Sequence, residues 1–145
     1  MMDDLYQDII LDHTRNPRNK RKLDMPDVDA RKVNPVCGDQ VQVQLRLTDG
    51  AIAEADYQGQ GCSISQASAS MLTEALKGKS LQDAYQLAEA FRRMMRREAS
   101  EADKDMLGDL TALEGVSNYP LRVKCAVLAW ETLEAGIKQA QGKGK

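Results

Sequence analysis

The chain has 145 residues, with 20 Lys and Arg against 22 Asp and Glu and a formal net charge of −2. That length predicts one domain over residues 1–145 with a sizeable core, and the near-balanced charge argues against a nucleic-acid or anionic-membrane partner. The opening "MMDDLYQDII" is acidic and lacks the basic-then-apolar order of a secretory signal. No apolar run approaches the roughly 20 residues of a membrane span, so a cytoplasmic protein is expected. The cysteines are Cys37, Cys62 and Cys125. An odd number excludes a full disulfide framework, and in a reducing compartment such thiols serve as buried fillers, metal ligands or nucleophiles.

A first helix is predicted over 3–15, with Leu5, Tyr6, Ile9, Ile10 and His13 on one side. Pro17 ends it, because the residue before a proline avoids the helical region. Residues 30–36 read as a short strand. Val41, Val43, Leu45 and Leu47 then alternate with Gln42, Gln44, Arg46 and Thr48, which predicts a strand buried on one face and wet on the other. Asp49-Gly50 supplies a hairpin turn, and "AIAEADYQ" returns antiparallel until Gly59 and Gly61 break it. Ser63 with Gln66 reads as a capping box, opening a helix whose stripe is Ile64, Ala67, Met71, Leu72 and Ala75 and which stops near Gly78. Ser80 caps the next helix, with Leu81, Ala84, Tyr85, Ala88, Phe91 and Met95 inward. Residues 98–118 are polar and interrupted by Gly108 and Gly115, so one helical turn around Leu110 is expected there. Pro120 suits the first position of a last helix, whose buried stripe is Val123, Val127, Trp130, Leu133 and Ile137, ahead of a frayed "GKGK". Helix, three strands, then helices predict an α+β fold: a three-stranded antiparallel sheet covered by helices.

Each cysteine sits at a junction. Cys37 lies in the turn feeding the second strand, with Gly38 between it and Asp39. Cys62 directly precedes a helix, where unpaired N–H groups and the helix dipole favour negative charge. Cys125, early in the last helix, is about 200° around from Val123 at roughly 100° per residue, and its neighbours Ala129 and Thr132 are small. Zinc takes four tetrahedral ligands from thiolate, imidazole or carboxylate. Cys37, Asp39, Cys62 and Cys125 would supply them, with Arg122 or Lys124 near enough in sequence to offset the excess negative charge. No CxxC pair is present, so spacing alone leaves buried, unligated cysteines and a metal site both open.

The stretches "NPVCGDQV", "GQGCSISQASASMLTEALKGKS", "RVKCAVLAW" and "LYQDIILDHTRNPRN" closely resemble the SufU and IscU group of iron–sulfur cluster assembly proteins, in the same order from residue 5 to about residue 137. The resemblance implies an α+β fold with its three cysteines gathered at one end. It also implies that Cys37, Asp39, Cys62 and Cys125 form the metal-binding set, and that the partner is a cysteine desulfurase delivering sulfur as a persulfide. The IscU-like branch has a histidine directly before its third cysteine; this chain has Lys124 there. Its lone histidine, His13, reads as a packed or hydrogen-bonded core residue. Residues 98–118 resemble the additional segment of the SufU-like branch. Both departures point to a zinc-containing sulfur acceptor and carrier working with a SufS-type desulfurase and a downstream assembly scaffold. The alternative is an IscU-type scaffold holding a transient iron–sulfur cluster. A third class is a zinc-stabilised interaction module without sulfur chemistry.

Sulfur transfer needs a thiolate that attacks the terminal sulfur of the donor persulfide. Cys37, in a loop beside glycine, is the expected acceptor, released when a partner group takes its place on the metal. The competing reading is a purely structural zinc, since closed four-ligand sites are usually structural. Asp39 is the hardest and weakest ligand expected, and Arg122 is placed beside the thiols as a supporting charge. Arg15, Arg18, Lys20, Arg21 and Lys22, and likewise Arg92, Arg93, Arg96 and Arg97, read as wet surface able to meet an acidic partner. Tyr6, Tyr57 and Trp130 read as core.

Overall fold

Two ten-residue strands joined by a tight turn, with a shorter strand beside the first, make the sheet. In the computed structural model, which describes residues 8–35 and 38–143, the order is α1 (Asp8–Arg15), β1 (Val28–Asn34), β2 (Asp39–Thr48), β3 (Ala51–Gln60), α2 (Ser63–Leu76), α3 (Leu81–Met95), α4 (Glu101–Leu107), a 3-10 helix (Gly108–Asn118) and α5 (Pro120–Lys143). Leu5 and Tyr6 of the first helix, Cys37 and the last two residues of the tail lie outside the described residues. The sheet is antiparallel in the order β1-β2-β3. Asp49 and Gly50 have φ of 53° and 80°, the positive pair that a two-residue hairpin matched to strand twist requires. Val41, Val43 and Leu45 are fully buried beneath α5, which packs on β1 and β2, while α2 packs on β3 and on α5.

The outer face of the sheet is drier than the alternation predicts. Gln44 is buried because the connection between α1 and β1 runs across it. Leu23 buries its side chain there and donates its N–H to Gln44 Oε1 at 2.9 Å. Gln44 Nε2 in turn donates to Asp29 Oδ2 at 3.2 Å, and Arg21 Nε donates to the buried Asp56 Oδ2 at 3.1 Å. Arg21 and Arg18, which pairs with Asp12 at 2.5 Å, thus serve this chain's own carboxylates.

The helices follow their stripes with three corrections. The N-cap of α2 is Cys62, not Ser63, and no side chain caps it; Ser65 Oγ donates back to Cys62 O at 3.0 Å. Ser80 does cap α3, accepting from the Asp83 N–H. Residues 98–118 are far more helical than expected. Ser100 and Asp103 form a reciprocal capping box at the start of α4. Leu107, Leu110, Leu113 and Val116 are buried at intervals of three, the repeat of a 3-10 helix. Finally, α5 is buried almost all round: Cys125, Ala126, Leu128, Ala129, Trp130, Thr132, Leu133, Glu134 and Ile137 are buried, whereas Val123 and Val127 are only half-buried.

Trp130 stacks on Phe91 with ring centroids 4.8 Å apart and donates to Ser68 Oγ at 3.1 Å. His13 is buried, its Nδ1 2.7 Å from Ser70 Oγ, and burial together with Arg18 holds its pKa below the ordinary histidine range. Both are core residues. Of the arginines expected as wet surface, Arg96 and Arg97 are exposed, whereas the half-buried Arg92 and Arg93 pair with buried carboxylates. Arg92 pairs with Glu134 of α5 at 2.8 Å, Arg93 with Asp103 of α4 at 2.8 Å, and Arg96 with Glu98 at 3.1 Å. Among the described residues no helix is long and apolar enough to cross a membrane.

Candidate metal and sulfur site

Three elements deliver the site. Asp39 opens β2, Cys62 caps α2, and Cys125 lies in the second turn of α5. Strand register does the first part of the work. Gln40 pairs with Gln60, so the chain leaving β3 through Gly61 reaches Cys62 beside Asp39. Packing of α2 on α5 does the second: Ser68 Oγ donates to the Ala126 carbonyl at 2.7 Å, locking the two helices together next to Cys125. One carboxylate oxygen and the two sulfurs consequently lie within 4.8 Å of one another.

Asp39 is fully buried, Cys125 is buried and Cys62 is half-buried. The Cys62 N–H donates to Asp39 Oδ1 at 2.8 Å. Cys62 Sγ stands 3.9 Å from Asp39 Oδ2, and Cys125 Sγ 3.9 Å from the Leu121 carbonyl. A carboxylate this deep is costly unless paired or bound to a cation. Two thiols and a buried carboxylate facing one point are a donor set of the type that suits zinc, so the residues present fit such an ion. At the entrance to β2, Gly38 adopts φ 72° and its N–H donates to Asn34 O at 2.9 Å, closing the turn around the cross-strand pair Asn34–Asp39.

Of the four residues expected to bind metal, Asp39, Cys62 and Cys125 come together, and Cys37 lies outside the described residues. Arg122 and Lys124 are both exposed on the first turns of α5. Gly61 carries a role that a reading as strand breaker misses. A Cβ built on it would meet Asp39 Oδ1 at 2.0 Å. The signal available in the sequence is a glycine directly before a candidate ligand, in "GQGC".

Residues 5–126 match the NifU-like N terminal domain family. Over 142 residues, covering 97% of this chain and 95% of its relative, the sequence is 44% identical to the zinc-dependent sulfurtransferase SufU of Bacillus subtilis (strain 168). Over 140 residues, covering 96% and 86%, it is 36% identical to the iron-sulfur cluster assembly scaffold protein IscU of Streptococcus pyogenes serotype M1. The crystal structure of a nitrogen-fixing NifU-like protein (N-terminal) from Brucella abortus superposes with a TM-score of 0.87 at 26% identity, over 98% of each chain. The same helix, three-stranded sheet and helical cover run through both molecules, and the chain belongs to the NifU-like N-terminal domain family, in the group that includes SufU and IscU.

Proposed function

We propose that this protein is a zinc-dependent sulfur carrier of the cytoplasm, which accepts persulfide sulfur from a SufS-type cysteine desulfurase and passes it to a downstream iron–sulfur assembly scaffold. The observation that carries the reading is the convergence of Asp39, Cys62 and Cys125 within 4.8 Å, in a chain 44% identical to a zinc-dependent sulfurtransferase. Cys37, Asp39, Cys62 and Cys125 would hold the metal. Zinc, when bound, keeps thiols deprotonated near neutral pH.

The rest is work for the chain itself. Cys37 is two residues from Asp39, and two residues of chain span at most about 7 Å, so the fourth donor is tethered to the site by covalent geometry. Cys62 is held by its own backbone bond to Asp39, and Cys125 is buried in α5. Cys37 is therefore the acceptor. Its thiolate attacks the terminal sulfur of the donor persulfide, the donor's S–S bond breaks, the desulfurase cysteine departs as thiolate, and Cys37 carries the new persulfide.

The scaffold reading uses the same donors. Against it, Lys124 precedes Cys125 where the IscU-like branch has histidine, and His13 is committed to Ser70. Purification without oxygen separates the two: stoichiometric zinc is expected, whereas a coloured, labile cluster would favour the scaffold. In a desulfurase assay Cys37→Ser is expected to stop the increase in turnover and to take up no persulfide. A mutant that still does both removes Cys37 as the acceptor.

A further inference from the structure

We propose that Gly61 is the positioning residue for Asp39. Its bare Cα leaves a recess that fixes one carboxylate oxygen on the Cys62 N–H, so that only the other oxygen faces the sulfurs. The inference rests on the metal reading above and gives a role to Gly61, which that reading leaves without one.

The recess is made of two glycines. A Cβ on Gly59 would stand 2.4 Å from the Gln40 carbonyl, so Gly59 lets the end of β3 close onto the start of β2. A Cβ on Gly61 would stand 2.0 Å from Asp39 Oδ1, 2.7 Å from its Cγ and 2.9 Å from its Cα. Gly61 also has φ 144°, a conformation that side chains rarely adopt. In the space so left, Oδ1 accepts from the Cys62 N–H at 2.8 Å, and Oδ2 is turned toward Cys62 Sγ at 3.9 Å. The backbone donor thus orients the carboxylate, and the bare Cα of Gly61 leaves the room that this orientation needs.

The magnitudes decide the consequence. Real Cβ atoms essentially never approach within 3.0 Å, so one added methyl group would push Oδ1 away by about 1 Å. Moving Oδ1 breaks its bond to the Cys62 N–H and swings Oδ2 with it. Metal–ligand distances hold to within about 0.2 Å, so a displacement of that size takes Oδ2 out of donor range. Groups that orient a ligand typically change metal affinity by about 10- to 100-fold when lost.

The test is a zinc competition titration on the full chain as wild type, Gly61→Ala, Asp39→Ala and the double variant, each checked for folding by circular dichroism. Both single variants are expected to lose about 10- to 100-fold in affinity. The double is expected to lose no more than Asp39→Ala alone, because the atoms that the methyl group displaces are gone. A folded Gly61→Ala with wild-type affinity, or losses that multiply in the double, would overturn the proposal. A second measurement stands even if Gly61→Ala does not fold. In the metal-free protein, the Cys62 amide proton is expected to move upfield and exchange faster in Asp39→Ala. An unchanged Cys62 amide overturns the recess. If the wild type takes up no zinc, the metal reading fails, and the Cys62 amide still decides this one.

Discussion

Tyr57 shows what a single buried group costs. Its ring is fully buried and its hydroxyl has no hydrogen-bond partner among the described residues. Burial disfavours the phenolate and pushes its pKa up to about 12. The unfolded chain would ionise this phenol near 10, so above that pH the unfolded state binds fewer protons than the folded one. Stability therefore falls as pH rises from 10 toward 12. Tyr57→Phe removes the unpaired hydroxyl, whose desolvation costs about 1–3 kcal/mol. Its urea midpoint at pH 7 is expected to equal or exceed the wild type's, and its decline above pH 10 to be shallower. A lower midpoint at pH 7 would show that the hydroxyl is satisfied after all.

At the scale of elements, α4 is held by one carboxylate. Asp103 accepts from Arg93 Nε and Nη2, both at 2.8 Å, and from the Ser100 N–H at 3.1 Å, while its own N–H donates to Ser100 Oγ. The Arg93 guanidinium, then the Ser100 N–H, hold the Asp103 carboxyl well below the usual carboxylate range. A depressed carboxyl stabilises above the unfolded value of about 3.9, and that stability is lost as pH falls below it. Asp103→Ala should thus loosen α4 and the 3-10 helix before anything else. Hydrogen exchange across residues 100–118 is expected to rise while α2 and α5 stay protected, and the wild type should approach the same pattern progressively as pH falls below about 4. Uniform loss of protection would mean that this segment does not open by itself. The 3-10 helix needs such support. Runs beyond three or four residues are uncommon, and here Leu110, Leu113 and Val116 persist in that geometry because they pack on α3 and α5.

At the scale of the whole molecule, α5 is the centre and the candidate metal site is a clasp. Trp130 is fully buried, stacked on Phe91. Truncating a buried tryptophan to alanine costs about 3–5 kcal/mol, against a total stability of about 5–15 kcal/mol for a typical protein. Trp130→Ala should therefore show a large loss in urea midpoint, and a loss under 1 kcal/mol would contradict the burial described. Asp39, Cys62 and Cys125 join the start of β2, the start of α2 and α5. An ion that binds the folded state in preference to the unfolded chain adds up to about 2.7 kcal/mol at a hundredfold excess over Kd. Zinc is expected to raise Tm and a chelator to lower it, with the zinc-dependent part vanishing in Cys125→Ser. A Tm indifferent to zinc in the wild type would argue that these three elements do not share a metal.

Features written in neighbouring residues were legible from the sequence alone. The alternation of Val41, Val43 and Leu45, the Asp49-Gly50 turn and the Ser80 cap each depend on a few adjacent side chains and backbone angles. The motifs around Cys37, Cys62 and Cys125 were equally plain, and with them the family. The resemblance implied that Asp39, Cys62 and Cys125 share a site, and tertiary structure shows how they meet; it alone decided that Gln44 goes under cover, that Arg92 and Arg93 reach Glu134 and Asp103, and that Gly61 makes room for a carboxylate. The physical reason is common to all four. Each depends on atoms more than nine residues apart in the chain, brought together by packing between elements, and no local periodicity records which elements will touch.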